Sequence, residues 1–166
     1  MRFTHRGSRL VRPTRRRLVW ATRGPVSTSP AAGASQSFDL LAAFATGGAS
    51  TLGVTVMRTH LHVAIAWGVG STTSYLQYGL AIGNDLDVIN ARPNASNEPD
   101  IDWMLLDIEW IQYDAAAVRS LTDFRIDNRS KRKMEEMNQR YVLNIVNNAA
   151  NQITVTVFSR VLVALP

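Results

Sequence analysis

The sequence predicts an all-β domain of about eight strands, a sandwich or a barrel, that follows a basic N-terminal arm. Three observations lead to this prediction. Apolar and polar residues alternate with a period of two over much of the chain from Phe38 onward. Clusters of Gly, Ser, Asn, Asp and Pro separate the alternating stretches, as is typical of short strands joined by turns. Residues 1–38 contain eight arginines and no carboxylate.

The first element, residues 1–37, is predicted to be a disordered arm and linker. It has no hydrophobic periodicity, and residues 25–35 are mostly small or polar and are interrupted by Pro and Gly, which is typical of a flexible linker. Acid-free arginine segments neutralise phosphates and release counterions, and the nearby Trp20 adds base stacking suited to single strands. The candidate nucleic-acid-binding residues are Arg2, Arg6, Arg9, Arg12, Arg15, Arg16, Arg17 and Arg23.

The second element, residues 38–166, is predicted to be the folded domain. Its clearest strand covers residues 55–67, where apolar and threonine side chains point one way and Arg58, His60 and His62 point the other. Residues 104–112 and 153–163 alternate in the same manner. Shorter strands are predicted at residues 38–45, 74–82, 86–90, 121–127 and 141–147, and one helical turn at residues 130–139.

The charge of the chain divides between these two parts. The net charge is +5, but residues 39–166 hold ten basic residues and all 13 acidic ones, which gives the folded domain a charge of −3. A flexible basic tail on a mildly acidic domain indicates a protein that binds a polyanion through the tail. An organelle transit peptide and a nuclear localisation signal are alternative interpretations of the same arm.

Signals for catalysis and for cofactors are absent from the sequence. Without cysteine there is no thiolate chemistry, and the nucleophile-elbow, P-loop and zinc-protease motifs are missing, so the chain is predicted not to be an enzyme. No apolar run is long enough to span a membrane. No cofactor is predicted. His60 and His62 as metal ligands, or a calcium site between subunits near Asp85 and Asp87, stay open as alternatives.

Several segments are similar to a known family. An arginine-rich arm, a Pro/Ser/Ala linker and about eight strands occur together with Asp102-Trp103-Met104 at the start of a strand. Residues 124–134 (FRIDNRSKRKM) precede a strand pair that ends in residues 160–166 (RVLVALP). In these features the chain resembles the single jelly-roll coat proteins of small icosahedral viruses, of the type known from environmental circular single-stranded DNA genomes.

The resemblance implies a single eight-stranded antiparallel jelly roll, made of two four-stranded sheets, with the arm facing the particle interior. It further implies a capsid protein in the virion whose partners are many copies of itself and a viral genome of single-stranded DNA. In a eukaryotic host, assembly would pass through the nucleus.

Assembly is also expected from the residues around the long strand. Val54 and Val56 are expected to lie opposite Met57, Leu61 and Ile65, which would leave apolar side chains on both faces. Exposed apolar patches mark interfaces, and closed symmetric assembly would cover them. Two other functions remain alternatives: a non-viral nucleic-acid-binding β-barrel with a basic tail, and an organelle-targeted β-protein whose transit peptide is cleaved.

Overall fold

The computed structural model describes residues 16–42, 51–68, 74–84, 103–113, 121–129, 131–136 and 139–166. Within these ranges the chain forms nine strands. They are β1 (Leu18–Thr28), β2 (Ser35–Asp39), β3 (Thr55–Ala66), β4 (Ser74–Asn84), β5 (Trp103–Tyr113), β6 (Leu121–Asn128), β7 (Arg132–Lys133), β8 (Gln139–Asn147) and β9 (Thr154–Ala164).

The strands build two antiparallel sheets. The five-stranded sheet has the order β1-β9-β3-β6, with the two-residue β7 added to β3, and the four-stranded sheet has the order β2-β8-β4-β5. Among the eight longer strands, the first pairs with the last, the second with the seventh, the third with the sixth and the fourth with the fifth. This nested pairing, wrapped into two sheets, is the topology of a jelly roll, and it confirms the predicted fold class.

The central strands of the five-stranded sheet carry the alternation that the sequence predicts. In β3, Thr59, Leu61, Val63 and Ile65 are buried, and so is Trp67 just after the strand. Along β9 the buried residues are Val155, Val157, Ser159, Val161 and Val163. These side chains meet those of the four-stranded sheet in one core, as expected for a sandwich in which each sheet buries one face.

The expectation of apolar residues on both faces of the long strand is wrong at Val54 and Val56. Both are buried, at 4% and 1% exposure. The pairing of β3 with β9 shifts register between Val56 and Arg58, so a bulge at Met57 changes the phase of the alternation. The side chains N-terminal to the bulge therefore turn to the core, and they supply no exposed patch for assembly.

The folded domain starts earlier than the predicted boundary near residues 35–38. Strand β1 occupies residues 18–28 and pairs with β9, and β2 begins at Ser35. Since β1 lies at a sheet edge and has a register shift between Arg23 and Val26, Gly24 and Pro25 are tolerated there. The predicted disorder of residues 1–15 lies outside the described residues.

The helical turn predicted at residues 130–139 is also wrong in the part that the structure describes. Arg132 and Lys133 form β7 and pair with Val56 and Thr55 of β3. The next residue, Met134, is fully buried, and its backbone exchanges hydrogen bonds of 2.8 Å with Gly53 and Val54. Burial of this side chain and backbone pairing to β3 outweigh the weak helical preference of the charged segment.

The shorter strands fall largely where the alternation places them. The predictions at residues 74–82, 104–112, 121–127 and 141–147 correspond to β4, β5, β6 and β8. The strand predicted at 38–45 is shifted, because β2 ends at Asp39 and a turn follows it. The strand predicted at 86–90 lies outside the described residues.

Polar contacts join the two sheets at defined points. The hydroxyl groups of Thr59 in β3 and Tyr141 in β8 lie 2.5 Å apart, and both side chains are buried. At the edge of the sandwich, the guanidinium of Arg23 in β1 donates to the carbonyl oxygen of Asp39 at 2.8 Å. Within the four-stranded sheet, Arg140 of β8 holds Asp39 of β2 in place through an ion pair with its carboxylate at 2.8 Å. These contacts fix how the sheets are stacked, and therefore which face of the five-stranded sheet is turned outward.

Candidate nucleic-acid interface

The candidate site lies on the side of the five-stranded sheet that is turned away from the core. Its side chains alternate with the buried ones along β1, β9, β3 and β6, and we call this surface the outer face. The outer face includes Trp20, Thr22, Arg58, His60, His62, Asp123, Arg125, Asp127, Phe158 and Arg160.

Trp20 occupies the first part of the outer face and is 41% exposed. Its ring stacks with that of His60, with centroids 5.7 Å apart and planes inclined at 27°. The guanidinium carbon of Arg160 lies 4.9 Å from the Trp20 ring centroid, within the range of a cation–π contact. Because β9 separates β1 from β3, the Trp20 and His60 rings meet across β9, where they hold the indole in place on the sheet.

Phe158 provides a second exposed aromatic ring on the same face. It is 37% exposed and pairs with His62 of β3. Phe158 lies two positions before Arg160 along β9, a distance of about 7 Å at the rise of a β-strand. Two aromatic surfaces and one arginine thus lie on neighbouring positions of a rigid sheet.

The carboxylates of the outer face are engaged by neighbouring cations. Arg58 binds Asp127 through two hydrogen bonds, of 3.1 and 2.8 Å, and Arg129 and His60 lie 3.8 and 3.6 Å from the same carboxylate. The hydrogen bond from Arg58 lowers the pKa of Asp127 and raises the pKa of Arg58 itself. His62 lies 3.2 Å from Asp123. The negative charge of the face is therefore compensated locally.

Two arginines of the outer face stay available for an anionic partner. Among the described residues, no carboxylate forms an ion pair with Arg125 or Arg160, and both are exposed. If Arg129, which contacts Asp127 at the end of β6, is included in the outer face, four arginines and two aspartates give it a charge of +2 when its histidines are neutral. The net charge of −3 for residues 39–166 does not reveal this positively charged surface.

The arm joins the domain beside a second basic segment. The guanidinium of Arg16 donates to the hydroxyl of Thr55 at 3.3 Å, and the Leu165 amide donates to the Arg17 carbonyl oxygen at 2.9 Å. Thr55 is also the pairing partner of Lys133 in β7. The base of the arm and residues 131–133 thus form one exposed group, which we call the basic rim: Arg16, Arg17, Lys131, Arg132 and Lys133.

The basic rim was not predicted as a site, because Lys131, Arg132 and Lys133 were assigned to a solvated helical turn. The signal available in the sequence was a run of four basic residues among residues 129–133. The run itself does not indicate which other basic residues lie beside it, because that depends on the strand pairing. The structure supplies that pairing by joining β7 to the first residues of β3.

The arginines predicted to bind nucleic acid fall into three groups. Arg2, Arg6, Arg9, Arg12 and Arg15 lie outside the described residues. Arg16 and Arg17 are exposed in the basic rim. Arg23 is half-buried and bridges the two sheets through Asp39, so its guanidinium is directed to the protein. Trp20, expected to stack on bases, is exposed on the outer face.

The described part of the chain contains neither a cluster of metal-ligating side chains nor a helix that could span a membrane. There, no three His, Asp or Glu side chains lie close enough together to hold a metal ion. His60 and His62 each face a single aspartate instead. Asp85 and Asp87, the calcium alternative, are outside the described residues. Of the helical residues that are described, none belongs to a helix long and apolar enough to cross a membrane.

Comparisons with protein-family models and with curated proteins give no match for this chain.

Proposed function

We propose that this protein is a viral capsid protein that assembles into an icosahedral shell and packages nucleic acid, single-stranded DNA in the first instance, through its arginine-rich arm. One observation carries the proposal: the acid-free arginine segment leads directly into the edge strand of a jelly roll, beside the basic rim. A polyanion held by the arm then lies next to the folded domain. The sequence resemblance to jelly-roll coat proteins points the same way.

The distribution of charge supports an inside and an outside for this domain. Residues 85–114 contain eight acidic residues and a single arginine, a net charge of −7. This segment includes β5, at the edge of the four-stranded sheet. The arm, the basic rim and the positive outer face belong to the other sheet. A shell subunit with this distribution of charge would turn the five-stranded sheet, with its basic rim, to the genome.

Exposed apolar residues at the ends of the five-stranded sheet supply contacts for assembly. Leu18 is exposed at the end where the arm joins, and Leu52 is exposed just before β3 at the same end. Leu121 is exposed at the opposite end, where it pairs with Ala66. Apolar contacts at two separate places allow one subunit to bind different neighbours, which a closed shell of many copies requires.

A second candidate function is a nucleic-acid-binding protein that acts without forming a shell. The exposure of Trp20 and Phe158 beside arginines favours it, because aromatic rings on a sheet are common platforms for single strands. Its OB-like version is disfavoured, since that fold is a five-stranded barrel and this chain has two separate sheets. If the arm were instead a transit peptide and were cleaved beyond Leu18, the domain would lose part or all of β1, which pairs with β9.

The test compares the full chain with a charge-neutralised variant of the same length. The variant replaces Arg2, Arg6, Arg9, Arg12 and Arg15 by glutamine, which leaves β1 intact. Both proteins are purified after expression, examined by electron microscopy, and treated with nuclease. The full chain is expected to form closed particles that protect nucleic acid. The variant is expected to fold and to lose most of the protected nucleic acid. Small species from the full chain that bind nucleic acid without protecting it would favour the second candidate.

A further inference from the structure

We propose that the outer face is a second nucleic-acid site, in which unpaired bases stack on Trp20 and Phe158 while Arg125 and Arg160 contact phosphates. The inference rests on the proposed function, because the arm delivers the nucleic acid to the domain. It adds a base-contacting site in the folded domain to an arm that recognises charge alone.

The exposure of the two aromatic rings is the first argument. Trp67, by comparison, is buried at 6% exposure, and its indole N–H donates to Thr122. Trp20 keeps 41% of its surface exposed although His60 and Arg160 hold it in position. A large ring fixed on a rigid sheet offers a stacking surface at little entropic cost, and every base has a face that can use it.

The path of positive charge across the face is the second argument. Arg58 lies next to the basic rim, Arg160 lies one outward position further along the sheet, and Arg125 lies one position beyond that. Successive outward positions are about 7 Å apart. The arginines thus lead away from the base of the arm, and the middle one, Arg160, lies between the positions of Trp20 and Phe158.

The same charge argues against a second copy of the chain as the occupant. In a symmetric contact between two outer faces, surfaces that each carry +2 would meet, and like charges placed together in an interface are unfavourable. A single strand supplies both a complementary backbone charge and bases for the rings. Duplex nucleic acid supplies only the charge, because its bases are stacked on each other.

The test separates stacking from charge by using two probes with the full chain. One is an oligothymidylate of about 15 nucleotides, within the site sizes known for single-strand binders. The other is an abasic strand with the same number of phosphates. Binding is measured on unassembled subunits at one salt concentration, for the parent chain, Trp20→Leu and Phe158→Leu. Thr154→Ala, at an exposed position of β9 in the same sheet, is the control.

Each aromatic variant is expected to weaken binding of oligothymidylate by about fivefold or more. Binding of the abasic strand is expected to stay at the parent value, and Thr154→Ala is expected to behave as the parent with both probes. As a direct readout, an oligonucleotide that contains bromouracil is expected to crosslink to the peptides that contain Trp20 and Phe158.

Three results would overturn the inference. If both variants keep the parent ratio of affinities for oligothymidylate and the abasic strand, bases do not stack on this face. Particles that protect nucleic acid would in that case still support the proposed function. If the variants change particle assembly and leave the ratio unchanged, the face is a contact between subunits. If the full chain binds neither probe and forms no particles, the proposed function fails together with the inference.

Discussion

The hydrogen bond between Thr59 and Tyr141 offers a quantitative test of the stacked sheets. Thr59 belongs to β3 of the five-stranded sheet and Tyr141 to β8 of the four-stranded sheet. Their hydroxyl oxygens lie 2.5 Å apart, and each residue has 0% exposure. The informative substitution is Tyr141→Phe, because it removes one hydroxyl and preserves the shape of the ring.

The expected cost follows from burial. Without the phenol, the Thr59 hydroxyl loses this partner in the core, and a buried polar group left unsatisfied costs about 1–3 kcal/mol. In a domain of this length, that corresponds to a fall in Tm of roughly 2–12 °C. Replacing both partners leaves no unsatisfied hydroxyl group. The loss in the free energy of unfolding for the double variant Tyr141→Phe/Thr59→Val is therefore expected to be smaller than the sum of the losses for the two single variants.

Urea unfolding of dissociated subunits, followed by circular dichroism, measures the free energy of unfolding of the parent, of the two single variants and of the double variant. Thr156→Val is the control, because it removes a threonine hydroxyl that bonds Ser27 at an exposed position, and its effect is expected within about 0.5 kcal/mol. If the double variant loses the full sum of the single losses, the two hydroxyl groups do not interact, and the stacking of the sheets described above is wrong.

Three further perturbations test the domain boundary and the core. Removal of residues 1–15 is expected to leave a folded domain by circular dichroism, whereas removal of residues 1–24 deletes most of β1 and is expected to prevent cooperative unfolding. Met134→Ala is expected to lower the free energy of unfolding in urea by about 2–5 kcal/mol, since the side chain is fully buried. Gly68→Ala is expected to lower the Tm, because a Cβ there would lie 2.6 Å from a backbone carbonyl oxygen. An unchanged Tm for Gly68→Ala would mean that Gln152, whose carbonyl oxygen this is, can move away from the added Cβ.

The sequence was most informative where a strand is central and pairs on both sides. Between Thr59 and Trp67 every second residue is buried, and β9 repeats the pattern from Val155 to Val163. Such strands must present one continuous apolar face to the core, so the period of two appears in the sequence without interruption. Their pairing partners, however, cannot be read from alternation alone.

The errors have physical causes that single-sequence reasoning does not capture. Strand β1 is missed because residues 1–24 show no hydrophobic periodicity and residues 25–35 have the composition of a linker. Gly24 and Pro25 are tolerated in this strand because it lies at a sheet edge and has a register shift. Val56 was placed on the wrong face because the bulge at Met57 depends on the register with β9. The helical turn was favoured by local charge spacing, which burial of Met134 outweighs.

The candidate site was predicted in part. The arginine arm could be recognised by composition, since eight arginines without a carboxylate need no fold to be noticed. The outer face could not, because Trp20, His60 and Arg160 come from three strands that are distant in sequence. Only the order β1-β9-β3 brings these three side chains together.

We propose that copies of this chain form a closed shell around nucleic acid. The mass of the purified full-length protein is the most direct test of this proposal. Mass photometry before and after nuclease treatment, with extraction of any nucleic acid that survives, gives both parts of the answer. We expect uniform megadalton particles, built from subunits of 18.4 kDa, that retain nucleic acid after the treatment. A monomer or small oligomer, with all nucleic acid digested, would contradict it.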